Sequence, residues 1–196
     1  MNLPNKLTIA RIVLTFVFML FLFSKGLVFR YLAYFTFLIA ALTDLWDGKL
    51  ARKKNQITNF GKLMDPIADK ILVLAAFLGF VELGLIPAWM VVLIVTREFV
   101  ITGLRIFALS KGEVISASEG AKHKTASQMS AIFLILAFLA VKDTLVKYTH
   151  LWSERYDDYF NVGVFCVMLL AVILTLISGF AYLMKNRGML LGEKNR

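Results

Sequence analysis

Long apolar stretches alternate with short polar segments along the whole chain. Each stretch is long enough to cross a bilayer as a helix of about 20 residues. The stretches cover 7–24, 31–52, 58–83, 87–109, 124–142 and 159–184. This pattern predicts an all-α, polytopic membrane protein with six transmembrane helices. We expect a loop around 143–158 and a single membrane domain spanning 1–196.

Composition supports the same class. Of the 196 residues, 59% are hydrophobic and only 18% are charged, which is more apolar than a soluble core requires. The first apolar stretch begins at Leu7, contains Arg11 and is not followed by a small-residue cleavage site. We therefore expect it to remain as the first helix and not to be removed as a signal peptide.

Lysine and arginine residues gather at alternate ends of these stretches, and their excess marks the cytoplasmic side of a membrane protein. With the N-terminus in the cytoplasm, five of them face outward: Lys25, Arg30, Lys142, Lys147 and Arg155. The distribution predicts cytoplasmic N- and C-termini in a multi-pass protein of the cell (plasma) membrane. The net charge of +9 suits anionic lipids and anionic substrates equally. We expect the protein to contact membrane lipids and not to bind nucleic acid.

A charged pattern interrupts the second and third apolar stretches. Four aspartates, three small residues and one arginine follow the spacing D-x2-D-G-x2-A-R-x8-G-x3-D-x3-D. They are Asp44, Asp47, Gly48, Ala51, Arg52, Gly61, Asp65 and Asp69. One aspartate at the centre of a membrane helix costs roughly 2.5 to 3.5 kcal/mol, so four of them require compensation by positive charge.

Helical geometry places these aspartates on two helix faces that also carry small residues. At 3.6 residues per turn, Asp44 and Asp47 share one stripe, and Asp65 and Asp69 share another, so that two acidic faces can oppose each other. Carboxylate oxygens suit Mg²⁺ or Mn²⁺, which complete their shells with water and substrate phosphate. Arg52 suits bidentate binding of a phosphate. A lone D-x-x-D also occurs as a capping or solvent-facing pair, but the whole pattern favours a metal and phosphate site.

The pattern resembles the signature of the CDP-alcohol phosphotransferases, integral membrane enzymes of phospholipid synthesis, with all eight positions present. The resemblance implies that Asp44, Asp47, Asp65 and Asp69 hold one or two Mg²⁺ or Mn²⁺ ions, and that Asp69 activates the acceptor hydroxyl as a base. It also implies a homodimer. The implied residues for binding CDP-diacylglycerol are Asn5, Thr8, Arg11, Gly48, Ala51, Arg52 and Gly61. Asn5 and Thr8 also suit capping of the first helix.

A second charged cluster lies in the fourth apolar stretch. Glu98 and Arg105 are seven residues apart and share a helical face, so an internal ion pair is the simplest explanation for Glu98. Arg97 and Arg105 are also candidates for binding a phosphate, and Arg97 alternatively supports the helix bundle. Lys122 and Lys124 follow at the start of the fifth stretch, where they also suit an ordinary cytoplasmic flank.

Three segments narrow the resemblance within the family: L-P-N-K-L-T-I-A-R, T-R-E-F-V-I-T-G-L-R and G-A-K-H-K-T-A-S-Q. From Leu3 to about Gln128, the chain is similar to family members whose acceptor is sn-glycerol 3-phosphate. This implies transfer of the phosphatidyl group of CDP-diacylglycerol to sn-glycerol 3-phosphate, with release of CMP. The implied residues for the acceptor phosphate are Arg97, Arg105, Lys122 and Lys124.

Two alternatives stay open. Within the enzyme class, the acceptor is another alcohol, such as an inositol phosphate or serine. From a different class, a cation-coupled membrane transporter also has acidic residues inside the membrane. Transporters of that kind have repeats and binding sites near the bilayer midplane, whereas these aspartates cluster at one predicted cytoplasmic turn beside Arg52. No Ser, Cys or His has a nucleophile's arrangement near the pattern, which favours direct in-line attack by the acceptor hydroxyl.

Overall fold

The computed structural model describes residues 3–54, 59–110, 120–149 and 154–187, with side chains at 7–43, 67–68, 70–108, 125–149 and 156–187. Over these ranges the chain forms six helices and no strand. They are α1 (Leu3–Phe23), α2 (Leu27–Lys54), α3 (Asn59–Glu82), α4 (Ala88–Ser110), α5 (Gly120–Tyr148) and α6 (Glu154–Lys185). The all-α prediction is confirmed, and the helices follow the predicted stretches in order.

The expected loop around 143–158 is wrong in extent, because α5 continues to Tyr148 and α6 already begins at Glu154. The polar residues that interrupt the apolar pattern here bond between helices. Lys142 Nζ lies 2.5 Å from Asp157 Oδ1, which joins α5 to α6. Both charged groups thus lie on helices, at the edges of the range where the sequence predicted a loop.

Apolar side chains cover the outside of the bundle as well as its core. Phe16, Leu20, Phe99 and Phe180 are all more than 60% exposed, on three different helices. Two described helical segments, in α5 and α6, are long and apolar enough to cross a membrane: Thr125–Tyr148 and Tyr156–Lys185. Shorter apolar segments occur in α1 and α2. Such a surface is expected in contact with lipid, and the chain is a membrane protein.

An aromatic cluster joins α1, α2 and α5 in the centre of the bundle. The ring centroids of Phe18 and Phe37 are 5.4 Å apart, and those of Phe37 and Phe133 are 5.1 Å apart at 75°. Tyr34 extends the cluster with a centroid 5.9 Å from that of Phe133. Edge-to-face pairs of this kind add to the free energy of burial. The cluster therefore holds α2 between α1 and α5.

Hydrogen bonds and ion pairs tie the helices together at the end of the bundle where α1 meets α2, which we call the distal end. Arg30 Nε donates to Asp143 Oδ2 at 3.0 Å, and Arg30 Nη1 donates to the Leu22 carbonyl oxygen at 2.6 Å. The hydroxyls of Tyr31 and Thr144 are 2.9 Å apart. Gly26, with φ of 120°, makes the turn between α1 and α2. These hydrogen bonds and the ion pair hold α1, α2 and α5 together at the distal end.

Close packing of α1 on α3 depends on a glycine. Gly79 is buried in α3, and a Cβ atom placed there would lie 2.5 Å from Cδ2 of Leu22. Leu22 is itself fully buried, so its side chain has little space to move away. Ala76, one turn earlier on α3, is also fully buried. Small residues on α3 therefore allow α1 to approach closely.

We expect Gly79→Ala to destabilise the protein by roughly 1 to 3 kcal/mol, because the added methyl group overpacks the contact with Leu22. Thermal unfolding in detergent measures the effect. Gly163→Ala in α6 is the matched control, since its Cβ would meet only Phe138 Cε2 at 3.9 Å. Both substitutions gain the same helix propensity. Equal unfolding temperatures for the two variants would contradict the proposed contact.

Candidate metal and phosphate site

The eight-residue pattern lies on two consecutive helices. Asp44 and Asp47 belong to the last part of α2, and Asp65 and Asp69 belong to the first half of α3. The side chains of these aspartates, and those of Asn5, Gly48, Ala51, Arg52 and Gly61, lie outside the described part of the structure. What the structure provides is the helical backbone on which each residue stands.

Helix geometry puts the aspartates at matching depths. Only four residues separate Lys54 from Asn59, so at ~3.8 Å per step the facing ends of α2 and α3 are at most about 19 Å apart. Short connections of this kind join antiparallel neighbours, and α2 and α3 are in contact. At ~1.5 Å per residue, Asp47 and Asp65 lie roughly 10 Å from the connection, while Asp44 and Asp69 lie roughly 15 Å from it. The four residues therefore occupy two levels of one helix pair.

A polar stripe on α1 lies against this pair of helices. Thr8, Arg11 and Thr15 are at most 2% exposed and repeat at i, i+3 and i+7, followed by the buried Phe18 and Leu22. Because α1 packs on both α2 and α3, the half of its buried face nearest the aspartates is polar, whereas the distal half is apolar. Thr8 and Arg11 both interact with neighbouring groups. A fully buried arginine here suits a site that contains anionic groups.

The capping alternative for Thr8 is wrong. Since α1 begins at Leu3, Thr8 lies in the helix interior, where its hydroxyl is fully buried. Asn5 lies inside the first turn, and its side chain is outside the described residues. The hydroxyl of Thr15 donates to the Arg11 carbonyl oxygen at 2.9 Å. The positions of Thr8 and Arg11 are those expected of residues lining a polar site between helices.

A cavity of about 90 Å³ lies between α3, α4 and α5, beside the segment of α3 that contains Asp69. Most of its walls are apolar. Its polar lining residues are Lys70, Glu98, Thr125 and Gln128. Lys70 Nζ donates to Thr102 Oγ1 at 2.7 Å, and Gln128 Nε2 donates to Thr175 Oγ1 at 3.2 Å. Polar bonds thus connect α3 to α4 and α5 to α6 around the cavity.

The basic cluster of α4 divides into a buried and an exposed part. Arg97 has a side chain only 9% exposed, and its Nη1 lies 3.2 Å from Glu98 Oε1. Glu98 is partly buried and has an ionic partner in Arg97, its neighbour in sequence. Arg105 is exposed. The side chains of Lys122 and Lys124 lie outside the described part, at the first turn of α5.

Several polar residues around the site were absent from the sequence-based candidates. Lys70 directly follows Asp69 and reaches Thr102, and Ser178 on α6 accepts a hydrogen bond from Arg97 Nη2 at 3.1 Å. A lysine within an apolar helix next to a predicted base was a usable signal for Lys70. The partnership between Arg97 and Ser178 joins residues 81 positions apart, and no local pattern indicates it.

The chain matches known proteins over nearly its whole length. The model of the CDP-alcohol phosphatidyltransferase family matches residues 1–185. One relative is the CDP-diacylglycerol–glycerol-3-phosphate 3-phosphatidyltransferase of Bacillus subtilis (strain 168), 38% identical over 94% of this chain and 95% of that protein. The protein of the same name in Haemophilus influenzae is 34% identical over 97% of this chain and 96% of its own length.

A third relative is described as a probable phosphatidylglycerophosphate synthase, from Mycobacterium tuberculosis (strain ATCC 25618 / H37Rv). It is 39% identical over 92% of this chain and 79% of that protein. Together with the complete eight-residue pattern on α2 and α3, these matches establish that the chain belongs to the CDP-alcohol phosphatidyltransferase family.

Proposed function

We propose that the protein transfers the phosphatidyl group of CDP-diacylglycerol to sn-glycerol 3-phosphate, forming phosphatidylglycerophosphate and CMP. The observation that carries the proposal is the near full-length similarity to relatives named for this reaction. The placement of the signature aspartates on the antiparallel helices α2 and α3 supports it further. A transporter is disfavoured, since the acidic residues are concentrated near one helix connection.

Mg²⁺ or Mn²⁺, as one or two ions, fits the donor set that the sequence places here. Four carboxylates on two facing helices, Asp44, Asp47, Asp65 and Asp69, offer the hard oxygen ligands that these ions prefer. When bound, the metal would supply positive charge that stabilises the departing CMP. Gly48, Ala51 and Gly61 leave space for the nucleotide, which Arg52 orients through a phosphate oxygen. Asn5, Thr8 and Arg11 line its edge from α1.

The transfer itself is a direct in-line displacement. The carboxylate of Asp69 accepts the proton of the acceptor's 1-hydroxyl, and the oxygen forms a bond to the phosphorus of the phosphatidyl group. The bond between that phosphorus and the oxygen of CMP breaks, and CMP leaves with the bonding electrons. The acyl chains stay in the bilayer throughout. The acceptor's phosphate dianion is bound by Arg105, Lys122 and Lys124, and Arg97 supports this cluster from within α4.

The membrane topology and the oligomeric state are part of the proposal. Six membrane spans, with both termini and the aspartate site on the cytoplasmic side of the cell membrane, place the basic residues next to a soluble anionic acceptor. This topology also places the distal end, with Lys25 and Arg30, on the outside. A homodimer is proposed from the resemblance to the family. The charge distribution along the sequence supports this orientation.

We expect chelation by EDTA to abolish CMP release, and Mg²⁺ or Mn²⁺ to restore it, because the aspartates cannot share a pocket with a pyrophosphate without cations. Asp44→Asn, Asp47→Asn and Asp65→Asn should each raise the metal concentration for half-maximal activity by on the order of 10-fold or more. Asp158→Asn, at an exposed position on α6, is the control for loss of a carboxylate. Full activity after exhaustive chelation contradicts the mechanism.

Asp69→Asn should lower kcat by on the order of 100-fold or more, because it removes the general base. Binding of CDP-diacylglycerol should persist, and equilibrium binding of the donor to the purified variant measures this directly. Asp65→Asn serves as the comparison, since it removes a ligand without removing the base. If donor binding fails equally in both variants, Asp69 acts mainly as a ligand and the assignment of a base is wrong.

Arg105→Ala, Lys122→Ala and Lys124→Ala should each remove a charge-assisted contact worth roughly 1.5 to 3 kcal/mol, or about 10- to 150-fold in kcat/KM for sn-glycerol 3-phosphate. The KM for CDP-diacylglycerol should change much less. Release of CMP is measured with sn-glycerol 3-phosphate, inositol phosphate, serine and glycerol as acceptors.

Lys25→Ala, which removes a positive charge from the exposed α1–α2 turn, controls for the change in net charge. Unchanged sn-glycerol 3-phosphate kinetics in all three folded site variants, or faster CMP release with another acceptor, would overturn the assignment of the acceptor.

A further inference from the structure

The guanidinium group of Arg97 is buried at the interface of α4 and α6, where a charged side chain requires an explanation. Its Nη1 bonds to Glu98 Oε1, and its Nη2 donates to Ser178 Oγ at 3.1 Å. Both terminal nitrogens are therefore engaged by protein groups. Nε is buried and has no hydrogen-bond partner among the described residues. The guanidinium group is thus held in place by protein groups on both α4 and α6.

The aliphatic part of Arg97 lies directly on the backbone of α6. A Cβ atom at Gly179 would lie 2.8 Å from Arg97 Cγ and 3.1 Å from its Nε. These distances are too short for any residue larger than glycine unless the arginine moves, and Gly179 is buried. Tyr182, three residues later on the same face of α6, is 4% exposed. Arg97 thus occupies a site on α6 formed by Ser178, Gly179 and Tyr182, which we call the α6 seat.

This contact lies at the main packing interface of α4. Among the described residues, α4 packs mainly on α6 and makes a smaller contact with α3. The contact with α3 includes the hydrogen bond from Lys70 to Thr102. Arg105 follows Arg97 by eight residues, or ~12 Å along the helix axis, and is exposed. A shift or rotation of α4 on α6 therefore moves Arg105 relative to the aspartates of α3.

We propose that Arg97 is a positioning residue: held in the α6 seat and bonded to Glu98 and Ser178, it fixes α4 so that Arg105 meets the phosphate of the acceptor. The inference rests on the proposed function, since it concerns the acceptor of that same site. It separates Arg97 from Arg105, Lys122 and Lys124, which contact the acceptor directly. Arg97 acts on the acceptor only through Arg105.

Gly179→Ala should raise the KM for sn-glycerol 3-phosphate on the order of 10- to 100-fold, because a displacement of about 1 Å at a binding group has effects of that size. Ser178→Ala should raise it in the same direction by about 10-fold or less, since one hydrogen bond is lost. The KM for CDP-diacylglycerol and the metal concentration for half-maximal activity should stay within about twofold. Gly163→Ala, on the same helix with free space around its Cβ, should behave as the wild type.

The decisive measurement is a double-mutant cycle of Arg97→Ala and Arg105→Ala on the acceptor KM. If Arg97 acts through Arg105, the double variant loses no more than Arg105→Ala alone. If Arg97 binds the phosphate itself, the two losses multiply and the inference is wrong. If Arg97→Ala does not fold, Ser178→Ala takes its place in the cycle, with the same two outcomes.

The result distinguishes this inference from the proposed function. If the wild type does not use sn-glycerol 3-phosphate, the proposed acceptor is wrong, and the same cycle with the true acceptor still decides the role of Arg97. If the wild type uses sn-glycerol 3-phosphate and Gly179→Ala matches Gly163→Ala in acceptor KM, the proposed function stands and the α6 seat has no role in it.

Discussion

Charged side chains among apolar helices need partners of opposite charge or hydrogen-bonding capacity, and this requirement shapes both ends of the bundle. At the distal end the protein supplies the partners itself: Arg30 meets Asp143, and Lys142 meets Asp157. These pairs join three helices, α2, α5 and α6. Halfway along α4, Glu98 meets Arg97 in the same way. Pairing within the chain thus accounts for these charges, which are remote from the signature.

The opposite end differs because its function requires groups that bind ligands. The polar half of the α1 face, with Thr8 and Arg11 fully buried, packs against the helices that bear the aspartates. A fold stabilised only by apolar contact would place residues like Phe18 and Leu22 along the whole of this face. The buried face of α1 therefore changes from apolar to polar along its length. Its polar part is the part nearest the α2–α3 connection, where we propose the binding site.

Local patterns predicted the helices and the family well, since hydropathy and the spacing of a signature depend on neighbouring positions. They failed where a contact joins distant parts of the chain. Sequence spacing put Glu98 on the face of Arg105 and did not indicate its contact with Arg97, whose long side chain bends back to Glu98 while reaching Ser178. The need for glycine at position 179 is likewise invisible in sequence, because it arises from an arginine on another helix.

The length of the aspartate side chain explains why this site suits a metal ion. Lysine and arginine near a helix end extend their long apolar stems and keep their charges in water. Aspartate has one methylene group, so the carboxylates of Asp44 and Asp69 stay close to the helix backbone and cannot extend away from it. A positively charged group must therefore approach these carboxylates to compensate their charge. A divalent ion is small enough to enter between two short-sided helices, and it brings open coordination positions that a lysine lacks. In the proposed site, carboxylates that cannot extend away from their helices therefore suit a metal ion bound to substrate phosphate.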